Sequence, residues 1–356
     1  MIERLLVCRS RSFDPYENLA LEEALLNRVG EGELILYLWQ NERTVVIGRN
    51  QNPWKECRTA LLAEEGGRLA RRLSGGGAVF HDLGNLNFTF LMSAQDYDLP
   101  RQLAVIERAC RSLGIPAERS GRNDLLAEGR KFSGNAFYKH AGKAYHHGTL
   151  MVDVDLEMVQ RYLSPSRAKL AAKGVDSVRS RVVNLREFVP ELRIERLEDT
   201  LTESLQTVYA VGGGVLDAPN LSVWDTCGSS GTPTPTPPAD RLDSVQMLRP
   251  DEFDLRELTE KYASDAWLYG QKLPFTLSAE ERFPWGGIEI QLDVNEGVIR
   301  AAKVYTDAMD ETLAPRLETA LTGCTLRPDP LHHAVAAICL PPEQEAELLS
   351  LLMIAL

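Results

Sequence analysis

Apolar residues recur along this chain with two periods, and the alternation between them sets out the elements. "IERLLVC" (2–8) is a compact apolar run and reads as a first strand. "DPYENLALEEALLNRVG" (14–30) shifts to the helical period. Asp14 is placed to cap it, Pro15 to open it, Glu17 sits at the third position and Gly30 lies just past its end. "ELILYLWQ" (33–40) and "TVVIG" (44–48) read as strands, and "NPWKECRTALLAEEGG" (52–67) repeats the Asn-Pro helix start. Strand-like segments dominate residues 68–92. An amphipathic helix follows in "LPRQLAVIERACRSLG" (99–114), closed by Gly114. Two or three strands are expected between Asp124 and Val154, with helices resuming near Leu156 and Glu195.

The pattern then breaks. Residues 211–241, "VGGGVLDAPNLSVWDTCGSSGTPTPTPPADR", are dominated by Pro, Gly, Ser and Thr and read as a tether. Beyond Pro250 a helix, "DLRELTEKYASDAWLYG", is followed by strands "GIEIQLDV" and "VIRAAKVYT" and by two or three more helices. The leucines of the last helix, "PEQEAELLSLLMIAL", fall at helical spacing and predict core packing. No internal repeat is visible. The expected architecture is α+β, divided into residues 1–210, a linker or insert at 211–249, and an accessory α+β domain at 250–356.

Composition narrows the classes. The chain has 356 residues, 44% hydrophobic and 25% charged, with a formal net charge of −12. That balance argues against a whole-protein nucleic-acid footprint, so any anionic ligand needs a local basic patch. Six scattered cysteines without a CxxC pair argue against a disulfide scaffold and a structural zinc site. With no apolar leader and no long apolar run, the expectation is a cytoplasmic protein without a membrane span. "NFT" at Asn87 matches a glycosylation pattern that means nothing without secretion.

Four segments carry candidate chemistry. "LARRLSGGGAVFHDLGNLNFTF" (69–90) puts bare backbone beside Arg71 and Arg72. It fits neither the phosphate loop G-x-x-x-x-G-K-[ST] nor the dinucleotide fingerprint G-x-G-x-x-G, because Phe80 stands where the third glycine belongs. It is either a glycine-rich hairpin or a cradle of backbone amides for an anion. In "SGRNDLLAEGRKFSGNAFY" (120–138), Lys131 lies beside Ser133 and Gly134, with Asn123 and Asp124 across an expected hairpin, so it is a candidate fixed cation. In "KAYHHGTLMVDVD" (143–155), His146 and His147 must alternate faces, so at most one faces a given pocket. His147, followed by Gly148 and Thr149, is the better candidate. Residues 166–185 carry Arg167, Lys169, Lys173, Arg179 and Arg181, a solvated surface or a loop that closes over a nucleotide.

These segments occur together and in order: "RRLSGGGAVFHDLGNLNFTF", "SGRNDL", "RKFSGNAF", "HHGTLMV" and "KLAAKGVDSVRSRV". The set closely resembles the lipoate-protein ligase A family of biotin/lipoate protein ligases. "DPYENLALEE", "TVVIGRNQNPWKEC" and "ERFPWGGIEIQLDV" extend the likeness over nearly the whole chain. The insert around 212–241 is longer than the family leads one to expect.

The resemblance implies a largely antiparallel mixed sheet with helices and a smaller accessory domain. It implies ATP-dependent activation of lipoate to lipoyl-AMP, with Mg2+, as in lipoate scavenging. The lipoyl group then passes to a lysine of a lipoyl domain, in an E2 subunit of a 2-oxoacid dehydrogenase or the glycine-cleavage H protein. Nucleic acid and membrane partners are not implied, and a monomer is expected. Carried over residue by residue, Lys131 is the central lysine. Arg72, Ser74, Gly75, Gly76, Gly77, Ala78, Val79, Phe80 and His81 form a loop contacting lipoate and ATP. Asn123, Asp124, Ser133, Gly134, His147, Gly148 and Thr149 line the same cavity, with Asp124 a Mg2+ contact. Trp39 is a wall of the lipoate pocket, and Lys169, Lys173, Arg179 and Arg181 belong to an adenylate-binding loop. An octanoyltransferase would need a cysteine in these motifs, which hold none. A biotin ligase would need a G-R-G-R type loop where "GRNQNPWK" stands. A non-catalytic binder is the third alternative.

Overall fold

The structure is a computed structural model that describes residues 1–120, 124–164, 182–210, 245–270 and 274–354. Among these residues the largest element is an eight-stranded sheet in the order β11-β1-β2-β6-β10-β9-β8-β7. Its strands are β1 (Arg4–Arg9), β2 (Glu33–Trp39), β6 (Asn85–Ser93), β7 (Ala117–Ser120), β8 (Asp124–Ala127), β9 (Arg130–His140), β10 (Lys143–Met151) and β11 (Val245–Leu248). β11, β1 and β2 run parallel, and the remaining pairs are antiparallel. A side sheet joins β3 (Thr44–Ile47), β4 (Arg68–Arg71) and β5 (Val79–His81).

The central strands are buried on both faces, which is why β2 reads as an unbroken apolar run. Leu34, Leu36 and Leu38 face a core with Phe88, Phe90 and Ile106. Helices α4 (Leu99–Ser112) and α6 (Ile194–Ala210) cover that side. Ile35, Tyr37 and Trp39 point the other way, toward Leu21, Leu25 and Tyr145. Helix α1 (Pro15–Arg28) packs there, with Asp14 capping it through the amides of Tyr16 and Glu17, as its sequence predicts. The site lies on this second face.

Two expectations are corrected by packing. Residues 52–67 form not one helix but two, α2 (Pro53–Glu56) and α3 (Thr59–Glu64), because Cys57 leaves the helix to bridge Leu163 of the chain after α5 (Leu156–Tyr162). Residues 245–270, grouped by their sequence with the insert and the second domain, pack onto the first. β11 adds to the large sheet beside β1. Helices α7 (Arg256–Ala263) and α8 (Asp265–Leu268) close over α1. There Lys261 and the Tyr262 hydroxyl meet Glu23 at 2.6 and 2.7 Å, and Trp267 Nε1 donates to the Arg71 carbonyl at 2.8 Å. Leu248 and Tyr262 are buried in the core they share with α1, an apolar gain that a linker composition does not advertise.

The last part of the chain is a separate antiparallel sheet, β12 (Leu277–Phe283), β13 (Gly286–Asn295) and β14 (Val298–Thr306), of which β12 was not expected. Helices α9 (Leu313–Leu321), α10 (Pro328–Ala336) and α11 (Pro342–Ile354) cover it. Leu317, Leu331, Leu348 and Leu352 supply its core, so the C-terminal leucine stripe does pack inward. Polar contacts hold this unit to the first: Thr306 N donates to Asn50 O at 3.0 Å, and Asn50 Nδ2 to Glu311 O at 2.7 Å. Among the described residues no helix is long and apolar enough to cross a membrane.

Candidate functional site

Strand register builds the floor of the site. Trp39 pairs with Asn87, Asn87 with Thr149, and Gly134 with Asp124. Because Gly148 pairs with Asn135, Thr149 stands beside Gly134. One cross-strand row therefore runs Trp39, Asn87, Thr149, Gly134, Asp124. The next row on the same face is Tyr37, Thr89, His147, Ala136. Except for Tyr37 and Thr89, which are buried behind the others, these residues front a cavity of about 1010 Å³, closed on its far side by the second domain.

Lys131 comes to the floor through a register shift in the β8–β9 pair. Its Nζ lies 2.7 Å from Asp124 Oδ1. A Cβ at Gly134 would stand 3.2 Å from that nitrogen, so the glycine of "KFSG" makes room for the ammonium. The Gly134 amide donates to Thr149 Oγ1 at 3.2 Å, which ties the lysine's floor to the next strand. The backbone of Lys131 bridges Val182, where the chain re-enters the described residues.

The glycine loop is shaped from behind by arginines. Arg72 is buried and donates to Ser74 Oγ at 3.0 Å, Gly75 O at 2.7 Å, Gly77 O at 2.8 Å and Val46 O at 3.3 Å. Burial lowers its pKa to about 10. Arg71 is likewise committed to the carbonyls of Gly48, Arg49, Gln51 and Leu268. Both cations set backbone geometry. Gly76 adopts φ +90°, and its amide donates to Ala308 O at 3.2 Å. A Cβ at Gly75 would stand 2.3 Å from that same Ala308 oxygen. The bare backbone thus admits a loop of the second domain. Of the expected loop residues, Gly76, Gly77, Ala78, Val79 and His81 line the cavity with Arg72. Ser74, Gly75 and Phe80 stand behind that wall, Phe80 packed on Tyr162 at 5.4 Å.

A buried relay links this loop to the floor. Ser74 Oγ lies 2.8 Å from His147 Nε2, and His147 Nδ1 lies 2.9 Å from Glu22 Oε1. Thr89 Oγ1 donates to the same Glu22 oxygen at 2.7 Å and accepts from Trp39 Nε1 at 3.1 Å. With Glu22 as the shared acceptor, His147 carries its proton on Nδ1 and receives the Ser74 hydroxyl on Nε2. His81, also buried, takes a bond from Asn41 Nδ2 at 3.2 Å. Burial, then Arg72, pushes its pKa down to about 3, so it is a neutral imidazole. His146 faces the opposite side, between Gln102 and Asn135, as the alternation predicts.

Among the expected residues, Trp39, Asp124, Lys131, Gly134, His147, Gly148 and Thr149 line this cavity. Gly148 has a different reason for its missing side chain: a Cβ there would meet Asn135 Oδ1 at 2.5 Å and Phe88 Cζ at 2.7 Å, so it serves packing rather than ligand approach. Ser133 is buried beneath the floor. Asn123, Lys169, Lys173, Arg179 and Arg181 lie outside the described residues. The sequence reading passed over Glu22, Asn87 and Thr89, and the second-domain residues Arg282, Trp285 and Asp307 at the cavity wall. Glu22 left a signal: with Asn18 it is a polar residue on the buried stripe of α1.

Among the described residues no cysteine lines the site. Cys57 and Cys110 are buried, and burial pushes each thiol up to about 12, far from a reactive thiolate. Among the described residues no three His, Cys, Asp or Glu side chains gather as a metal cage. Asp124 is a half-exposed hard oxygen donor beside the lysine.

Residues 14–206 match the lipoyl protein ligase A/B catalytic domain, and residues 272–352 match the bacterial lipoate protein ligase C-terminus. Among solved structures, the chain is similar to P. falciparum LipL1 in complex with lipoate, at 25% identity over 97% of this chain and 98% of that one, with a TM-score of 0.78. It is also similar to a lipoate-protein ligase A bound with ATP, at 25% identity over 76% of this chain and 99% of the other, with a TM-score of 0.57. A bi-partite lipoate protein ligase of Thermoplasma acidophilum, described in a structural analysis of an archaeal lipoylation system alongside its E2 lipoyl domain, shares the fold. It is 24% identical over 77% of this chain and all of its own, with a TM-score of 0.59.

Proposed function

The chain belongs to the lipoyl protein ligase A/B family, and we propose that it activates lipoate with ATP and transfers the lipoyl group to a lysine of an acceptor lipoyl domain. The carrying observation is the Lys131 ammonium, seated over Gly134 against Asp124, on a sheet face whose other end is walled by Trp39. A cation at one end and an apolar wall at the other suit a long acid with an anionic head.

In this reading the lipoate carboxylate oxygen attacks the α-phosphorus of ATP, pyrophosphate leaves with the electron pair, and lipoyl-AMP forms. The acceptor amine then attacks the acyl carbon and AMP departs. No protein nucleophile is needed, because substrate atoms make and break every bond. Lys131 neutralises charge on the carboxylate and α-phosphate. Asp124 aligns that ammonium and would hold Mg2+ together with phosphate oxygens. Such an ion keeps most of its waters and binds through one or two carboxylates, which fits a lone aspartate, and it supplies charge neutralisation. Arg72 gives the glycine loop its shape. The relay Trp39–Thr89–Glu22–His147–Ser74 fixes the acid pocket to that loop. Asn123 and the basic residues Lys169, Lys173, Arg179 and Arg181 are assigned to the adenylate, where closure would exclude water from a hydrolysable anhydride. E2 subunits and the H protein are the acceptors proposed.

The test is the intact mass of a purified apo lipoyl domain after incubation with the protein, lipoate and Mg-ATP. A lipoyl increment that requires ATP is expected. No increment, with no lipoyl-AMP formed, would end this reading.

A further inference from the structure

Pyrophosphate leaving α-phosphorus carries away an electron pair and needs donors of its own, and the described residues of the first domain offer few at this cavity. Arg71 and Arg72 are both bound up with backbone carbonyls. Lys131 is one point charge, already shared with Asp124. Across the cavity stands Arg282, on β12 of the second domain. Among the described residues its guanidinium makes one hydrogen bond, from Nη1 to Asp307 Oδ2 at 3.2 Å. No other described residue takes its remaining guanidinium donors, and its side chain is 27% exposed.

The group is also held in place. The Asp307 side chain is largely covered, and it takes the Gly287 amide on its other oxygen at 2.6 Å. A Cβ at Gly287 would stand 3.1 Å from Arg282 Nη1, so the bare strand lets the guanidinium lie flat. One residue after Asp307, Ala308 accepts the Gly76 amide of the glycine loop. The Arg282–Asp307 pair is therefore coupled by two residues of backbone to the loop that faces the phosphates. A planar fork of N–H donors matches two oxygens of a phosphate, which an ammonium does not.

We propose that Arg282 is a catalytic residue of the activation step, contacting the β- and γ-phosphates of ATP and stabilising the departing pyrophosphate. The inference rests on the ligase reading above. In that step the carboxylate oxygen bonds to α-phosphorus, the bond from α-phosphorus to the bridging oxygen breaks, and that oxygen leaves with the electron pair as pyrophosphate. Acyl transfer from the finished adenylate has no pyrophosphate, so it does not require Arg282.

The full-length chain can be assayed in both halves: pyrophosphate release from ATP and lipoate, and lipoyl transfer from supplied lipoyl-AMP to an apo lipoyl domain. R282A should lower the first by about 100-fold or more, with the rise in KM falling on ATP rather than lipoate. It should leave the second within about twofold, while R282K recovers part of the loss. An unchanged activation rate overturns the proposal. So does an equal loss in both halves with a lowered Tm in R282A and R282K alike, which marks a structural residue. If the wild-type chain transfers from supplied lipoyl-AMP but never releases pyrophosphate, the activation step and Arg282's part in it both fall. If it does neither, the ligase reading itself fails.

Discussion

The two walls of the cavity are built by different physics. The floor belongs to the eight-stranded sheet, where every polar group of the relay has a buried partner: Trp39 to Thr89, Thr89 to Glu22, Glu22 to His147, His147 to Ser74. The opposite wall belongs to the three-stranded sheet and reaches the first domain through backbone and rim contacts such as Thr306 to Asn50 and Lys55 to Glu280 and Glu289. The Lys55–Glu280 pair is half-exposed and contributes little, while Glu289 is buried at the same rim. A floor set by register and low dielectric holds its geometry, whereas a wall held by a few loop bonds is free to be displaced at small cost. Function can therefore be divided: shape and head-group charge on the rigid side, and a group needed for only one step on the other.

The largest effect that would sharpen this contrast is at Lys131. K131A should lower lipoyl-AMP formation by about 100-fold or more with Tm nearly unchanged, because the side chain is half-exposed and its loss leaves no buried orphan. Normal adenylate yield from the folded variant would remove Lys131 from its role.

On the opposite face of the same sheet, His146 tests the rigidity of the floor through pH. Burial, then His147, drives its pKa down to about 3 from 6.5, so the unfolded chain binds a proton that the folded chain refuses. Stability should fall as pH drops from about 6.5 toward 3, by roughly 2–3 kcal/mol at pH 4.5 from this one group. H146Q should flatten that part of the profile in denaturant titrations at pH 7 and 4.5. His81, with the same direction of shift, leaves a remaining slope. An H146Q profile as steep as wild type would refute the assignment.

Glu22 comes next. E22L removes the acceptor of both His147 and Thr89 and strands buried donors, costing about 1–3 kcal/mol of stability. KM for lipoate should rise while KM for ATP holds. Equal rises in both would show that the relay is not confined to the acid pocket.

The smallest effect is expected on the second-domain side. N50A deletes the donor to Glu311 and should weaken docking by about 0.5–1.5 kcal/mol. It should be visible as faster hydrogen exchange at the Gly76 and Thr306 amides, with little change in global Tm. Protection unchanged at both amides would mean that the second wall is as firmly held as the first.

The periods of apolar residues and the helix caps were enough to draw most elements, since caps and turn glycines act locally. Asp14, Pro15 and Gly114 stand where they were expected. That Lys131, Asp124, Trp39 and His147 would come to one cavity was legible because motif order along the chain survives folding. Beyond reach were facts that depend on residues distant in sequence. Asn87 looked like a stray glycosylation match until strand pairing set it between Trp39 and Thr149. Glu22 is one polar residue on the buried stripe of α1, and only the packing of that helix shows that its partner is His147, 125 residues away. The glycine loop's composition announced close approach, but not that Ala308 would be one of the atoms approaching.

By itself, then, the sequence determined local conformation, the face each strand residue takes, and the family to which the motifs point, because these follow from neighbouring residues and their order. Only the tertiary structure decided that residues 245–270 complete the first sheet, that Arg72 holds backbone rather than standing free, and that the second domain brings Arg282 to the cavity. Those outcomes are set by hydrogen-bond partners and buried area contributed from far along the chain, and no local pattern carries them.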